Sequence, residues 1–206
     1  MRVIKVGGSL FDLPDLKTRL QNWLADHNDM PNVLIAGGGK PVDAIRNFQT
    51  THGIDDTAAH WLCLRMMSAT AAMLGTLLPD ARITDDIAIA RNAKQPETIF
   101  APHLWLQKQT ARDPNFCEQS WNVTSDSIAV MAGLELGANE IVLLKSVDYD
   151  SENTEYLDRC FPHLAKKFKS ASTASLAIIN FKSLARWQVT CARETLIFEH
   201  IPVVRC

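Results

Sequence analysis

The chain has 206 residues, 47% of them apolar and 21% charged. That length suits one well-buried α/β domain and falls short of two, and no stretch approaches the ~20 consecutive apolar residues of a membrane span. Twenty-one basic against 23 acidic residues leave a formal charge of −2 without a basic tail, which argues against a nucleic-acid partner, because phosphate-backbone binding needs a concentrated positive surface.

Arg2 to Val6 is short, rich in β-branched residues and followed by glycines, and it reads as a buried strand. Leucines 13, 16, 20 and 24 with Trp23 then recur at helical spacing, predicting a helix from about Leu13 to Ala25. Val33 to Ala36 is a second apolar run ending in glycines, with Pro41 placed where the first turn of another helix tolerates a missing N–H. Strand, glycine turn and helix thus occur twice in succession, the pattern of a mainly parallel sheet with ligands at the carboxyl ends of its strands.

Asp55 to Leu78 predicts a long helix that is apolar nearly all round, hence central or pressed against another subunit. Between Pro79 and Ser120 only a strand at Thr98 to Ala101 and a loop at Asp113-Pro114-Asn115 stand out. Thr124 or Ser125 can cap a helix that reaches Leu136 and stops at Gly137, and Glu140 to Leu144 forms the next strand. Leu176 to Ile179 and Thr195 to Phe198 read as late strands. The five cysteines, at 63, 117, 160, 191 and 206, form no CxxC pair, which argues against a disulfide framework or zinc site and fits a cytoplasmic protein. The N-terminal residues lack the apolar core of a secretory signal.

Five of the nine glycines fall in two clusters, Gly7-Gly8 and Gly37-Gly38-Gly39, each directly after an apolar run. Turns without Cβ atoms let backbone N–H groups converge on an anion, and the helix that follows adds its positive end. Neither loop is a Walker A or dinucleotide signature: Pro41 stands where Ser or Thr would be needed after Lys40, and Gly7-Gly8-Ser9 lacks the third, spaced glycine. Lys5 interrupts its apolar strand two residues before the first pair, where a bound polyphosphate would offset the burial of its ammonium; otherwise it must snorkel to water. Trp121-Asn122-Val123-Thr124-Ser125-Asp126-Ser127 carries three hydroxyls and a carboxylate at a predicted helix start, either an over-provided N-terminus or a site in which Asp126 faces lysine ammonium groups.

V-I-K-V-G-G-S-L at 3–10, L-I-A-G-G-G-K at 34–40 and V-T-S-D-S-I-A-V at 123–130, in that order and spacing, resemble the amino acid kinase family. A-A-H-W at 58–61 and S-W-N-V-T-S-D-S-I-A at 120–129 look most like its members that phosphorylate an aminomethylfuran phosphate in methanofuran biosynthesis. The resemblance implies a three-layer αβα sandwich with a mainly parallel central sheet, the carbamate kinase-like fold, in one domain. Residues 1–120 would then form the acceptor and phosphate side and 121–206 an abbreviated nucleotide side. It further implies transfer of the γ-phosphoryl group of ATP, with Mg2+ carried by the nucleotide, to a small phosphate acceptor.

By position, the resemblance makes Lys5 and Asp126 the catalytic pair and assigns Gly7, Gly8, Ser9, Lys145 and Asp148 to the nucleotide. Gly37, Gly38, Gly39, Lys40, His60, Asn122 and Thr124 fall to the acceptor, and no residue to a resident metal. Where the family commonly reads T-D-V-D-G this chain has Lys145-Ser146-Val147-Asp148-Tyr149, so Lys145 is either a phosphate-binding lysine or a solvated strand end. His60 is either a packed helix histidine or an acceptor contact, with Arg65 about one turn further on. A homo-oligomer through the helix at 55–78 completes the expectation.

Overall fold

The computed structural model describes residues 1–171, 174–192 and 195–201. Its centre is an eight-stranded sheet of β1 (Arg2–Val6), β2 (Asn32–Ala36), β3 (Arg82–Thr84), β4 (Glu97–Phe100), β5 (Glu140–Lys145), β6 (Ser175–Asn180), β7 (Arg186–Ala192) and β8 (Thr195–Ile201), in spatial order β3-β4-β2-β1-β5-β6-β7-β8. β3 through β6 pair in parallel, and β7 and β8 extend the sheet as antiparallel strands. β1 and β2 are buried along their whole length, which is why they read as continuous apolar runs rather than alternating ones.

The helices are α1 (Leu16–Asp26), α2 (Lys40–His52), α3 (Asp56–Leu77), α4 (Ile87–Arg91), α5 (His103–Arg112), α6 (Ser125–Leu136) and α7 (Phe161–Ala171). Strand alternation sorts the core into two faces. Val3, Val33, Ile35, Ile141 and Leu143 pack with α5, α6, α7 and one end of α3. Ile4, Val6, Leu34, Ala36 and Val142 pack with α1 and the other end of α3. The result is the expected sandwich, with mostly parallel strands between helical layers.

Several local expectations change. Leu13 lies outside α1, because a short 3-10 turn over Gly8–Asp12 carries the chain off the first glycine pair before the helix begins. The segment 79–120 holds β3, α4 and α5 besides β4; β3 and α4 are too short for a helical or alternating period to emerge. β7 lies between the two expected late strands, as the middle of an antiparallel meander. α3 buries one stripe, including Ala59, His60, Leu64, Met67, Ala71 and Leu74, while Met73 on its outer side is 51% exposed. Cys63, Cys117 and Cys160 are free thiols, and Cys206 lies outside the described residues.

Candidate active site

The two glycine loops leave the carboxyl ends of neighbouring strands, with β5 flanking β1 on its other side. The Gly7 N–H donates to the Leu144 carbonyl at 2.9 Å, and the Gly37 N–H donates to the Val6 carbonyl at 2.8 Å. The loops then meet backbone against backbone: a Cβ on Gly8 would lie 2.2 Å from the Gly39 amide nitrogen. Gly39 itself has φ +57°, a conformation open to glycine and strained for other residues. Such a junction of bare peptide groups beside a helix start suits an anion.

Lys5 points from β1 to the face covered by α6, where its Nζ lies 2.8 Å from Asp126 Oδ1. Lys145, at the end of the adjacent β5, places its Nζ 2.6 Å from Asp126 Oδ2 and also donates to the Tyr156 carbonyl at 2.6 Å. All three side chains are largely buried, at 6%, 5% and 13% exposure for Lys5, Asp126 and Lys145. The Lys5 contact is an ion pair without hydrogen-bond alignment, so Oδ1 has no in-line donor. Burial favours a neutral Asp126, yet the charges of Lys5 and Lys145 outweigh it and hold the carboxyl at about 2. Burial, with Lys5 nearby, pushes the Lys145 ammonium below the usual lysine range although Asp126 opposes this. Two ammonium groups share one carboxylate, leaving the cluster one positive charge in excess. Neither lysine snorkels to water: both are buried against Asp126.

A cavity of about 370 Å³ is lined by both glycine loops, through Gly8, Ser9, Gly38 and Gly39, and by Ser125, the residue before Asp126. Its walls include Lys40, Arg46, His60 and Trp121, and Leu64, Met67 and Ile128 give it an apolar floor. Lys40 Nζ pairs with Asp12 Oδ1 at 2.7 Å, and the Arg46 guanidinium lies 4.1 Å from the centre of the Trp121 ring. His60 is buried, and that burial pushes its imidazole toward the neutral form. Ser9 Oγ meets Ser146 Oγ at 2.8 Å, joining the first glycine loop to the end of β5.

Of the residues expected in the site, Gly8, Ser9, Gly38, Gly39, Lys40, His60 and Thr124 line the cavity, and Lys5, Lys145 and Asp126 form the ionic cluster. Gly7 and Gly37 shape the loops from behind, through their bonds to the strand ends. Asn122 is not among the lining residues: its amide donates to Glu118 Oε1 at 2.6 Å. Asp148 accepts from Asn180 Nδ2 at 2.7 Å and stays clear of the cavity. Arg65 is corrected: it faces away from His60 into a separate groove with Trp61 and His103, because five residues on α3 are well over a turn.

Arg46 supplies the second cation of the cavity instead, two turns into α2. Sequence reading missed it, although its spacing from Pro41 and Val42 on a predicted helix was available. Asp158 was also missed. It lies far along the chain from Thr124 and Ser127, whose groups it binds.

A model of the amino acid kinase family matches residues 1–161. The chain is 26% identical over 190 aligned positions to the [5-(aminomethyl)furan-3-yl]methyl phosphate kinase of Methanocaldococcus jannaschii, spanning 82% of this chain and 84% of that one. Among solved structures it resembles the UMP kinase of Bacillus anthracis, with TM-score 0.61 and 15% identity over 88% of this chain and 87% of that one. The uridylate kinase of Archaeoglobus fulgidus is similar too, with TM-score 0.58 and 14% identity over 85% and 88%. Because that family model covers well over half of its length, the chain belongs to the amino acid kinase family.

Proposed function

We propose that this kinase transfers the γ-phosphoryl group of ATP to a phosphate monoester carried by a small ring, [5-(aminomethyl)furan-3-yl]methyl phosphate, forming its diphosphate in the cytoplasm. The observation that carries the reading is the cluster of Lys5, Lys145 and Asp126, one charge in excess, together with two glycine loops that line a cavity of about 370 Å³ along with Ser125, the residue before Asp126. Phosphoryl transfer needs positioning and charge stabilisation above all. An acceptor phosphate oxygen is already anionic near neutral pH, so it attacks without a general base. Lys5 and Lys145 neutralise charge on the transferring group, Asp126 aims both, and the loop amides hold the phosphate oxygens. Arg46 and Lys40 attract the acceptor phosphate.

The acceptor assignment is supported by the 26% identity to the furan phosphate kinase. Mg2+ would arrive on the nucleotide: both Asp126 oxygens face lysines, and no group of three or more His, Cys, Asp or Glu among the described residues is arranged for a metal. Residues 1–120 form the acceptor side and 121–206 the nucleotide side, and the outer face of α3 joins copies of the chain into a homo-oligomer.

The test is ADP release from ATP and Mg2+ with the furan phosphate, UMP and N-acetylglutamate as acceptors, in wild type, Lys5→Ala and Asp126→Ala. Turnover with the furan phosphate that both variants abolish is the expected result. Turnover confined to another acceptor replaces the substrate assignment, and nucleotide binding without acceptor-dependent ADP release in any protein sinks the kinase reading for a non-catalytic one.

A further inference from the structure

The start of α6 is capped from outside its own segment. Thr124 occupies the N-cap position, where a side-chain oxygen ordinarily accepts an N–H from the first turn, yet its side chain makes no such bond. Its hydroxyl donates instead to Asp158 Oδ2 at 2.8 Å, as does its N–H at 2.8 Å. The Ser127 N–H, the usual partner of a cap, also donates to Asp158 Oδ2, at 3.0 Å, and the Ser127 hydroxyl donates to Asp158 Oδ1. The Phe161 N–H at the start of α7 completes the set, donating to Asp158 Oδ1 at 2.9 Å.

This arrangement bears on the ionic cluster from two sides. Asp126 stands between the two residues that Asp158 grips, in the first turn, where a carboxylate is drawn to its own helix's free N–H groups. Asp158 takes the Ser127 N–H, and the Asp126 carboxylate faces Lys5 and Lys145. Tyr156, whose carbonyl is the other acceptor for the Lys145 ammonium, lies two residues before Asp158 on the same segment. Of the two groups that hold Lys145, Asp126 therefore lies between residues that Asp158 grips, and Tyr156 lies two residues from Asp158 along the chain.

We infer that Asp158 is a positioning residue for phosphoryl transfer: it caps α6 in trans and sets Asp126 and the Tyr156 carbonyl around the Lys145 ammonium. Its kinetic consequence rests on the kinase reading, but its structural consequence does not. The charged groups facing Lys145 are Asp126, Lys5 and Asp158 itself.

In Asp158→Ala, kcat falls about tenfold or more while the nucleotide KM stays within about threefold. Asp158→Asn, which keeps an acceptor oxygen and guards against a fold lost in the alanine variant, recovers part of that kcat. Adding Asp158→Ala to Lys145→Ala costs little further kcat, whereas a purely structural cap would cost the same in both backgrounds. Independently of turnover, NMR of protein labelled at lysine Cε, with Lys145 assigned by Lys145→Arg, reads its titration midpoint, which falls by about half a pH unit or more in Asp158→Ala. A midpoint unmoved in folded Asp158→Ala, or moved equally in Asp158→Asn through loss of charge alone, overturns the inference. If wild type turns over no acceptor, the kinase reading fails and the NMR result still decides this one.

Discussion

Lys145 Nζ and Asp126 Oδ2 lie 2.6 Å apart although one ends a strand and the other opens a helix, and Lys5 reaches the second oxygen of the same carboxylate at 2.8 Å. One carboxylate thereby holds two ammonium groups at a fixed separation. Replacing Asp126 by Ala leaves both lysines buried and unpaired, so we expect destabilisation of about 3–5 kcal/mol and a kcat loss of about a thousandfold. The folded carboxyl sits near 2 against an ordinary 3.8. Its pairing therefore contributes stability that is fully present above the ordinary value and is lost as pH falls toward 2. Urea midpoints of wild type and Asp126→Asn should differ at about pH 5 and converge in strong acid.

Lys145 loses its proton below the ordinary lysine value of 10.5. If its charge serves the transferring phosphoryl group, kcat falls on the alkaline side before that value is reached. Lys145→Arg keeps a charge throughout the range, so its pH–rate profile should lose this limb even if its kcat is lower. An unchanged limb in the arginine variant assigns the titration to another group.

Gly8→Ala forces a Cβ to 2.2 Å from the Gly39 nitrogen, which only backbone movement can relieve. We expect a stability loss of about 1–3 kcal/mol and a large drop in kcat/KM as the two loops part. Gly53→Ala is the control, since its φ of +64° strains an alanine but nothing lies within 4 Å. It should lower the melting temperature and leave the kinetics unchanged.

Arg46→Ala removes a cation from the cavity wall, which we propose holds the acceptor, and leaves the ionic cluster intact. The acceptor KM should rise about tenfold, with the ATP KM unaffected. Equal effects on both substrates would place Arg46 outside the acceptor subsite.

Met73 is 51% exposed on the outer side of α3 and Ile83, at the neighbouring sheet edge, is 47% exposed. A charge in such a patch disfavours its burial between subunits. Light scattering of Met73→Glu should report a smaller assembly than wild type. Identical masses would exclude this face as the interface.

Much of this molecule follows from local sequence. β1 and β2 are legible because burial on both faces demands uninterrupted apolar side chains, and the glycine clusters mark where backbones must approach within a Cβ's width. The chemical types needed for phosphoryl transfer, in Lys5, Asp126 and the five loop glycines, were visible too, and motif order tied them to one family. Local pattern could not show which partner each side chain meets. Lys145 became part of the cluster because β5 pairs with β1, and Arg46 entered the cavity because α2 closes over it. Asn122 and Asp148, near in sequence to the site, took other hydrogen-bond partners. Asp158 reached the α6 terminus from 31 residues away, through the fold of an intervening strand. Sequence alone determined the central strands β1, β2 and β5, the bare loops and the charges available; tertiary structure decided which charges meet, because burial makes an ammonium or carboxylate stable only beside a partner that chain order does not specify.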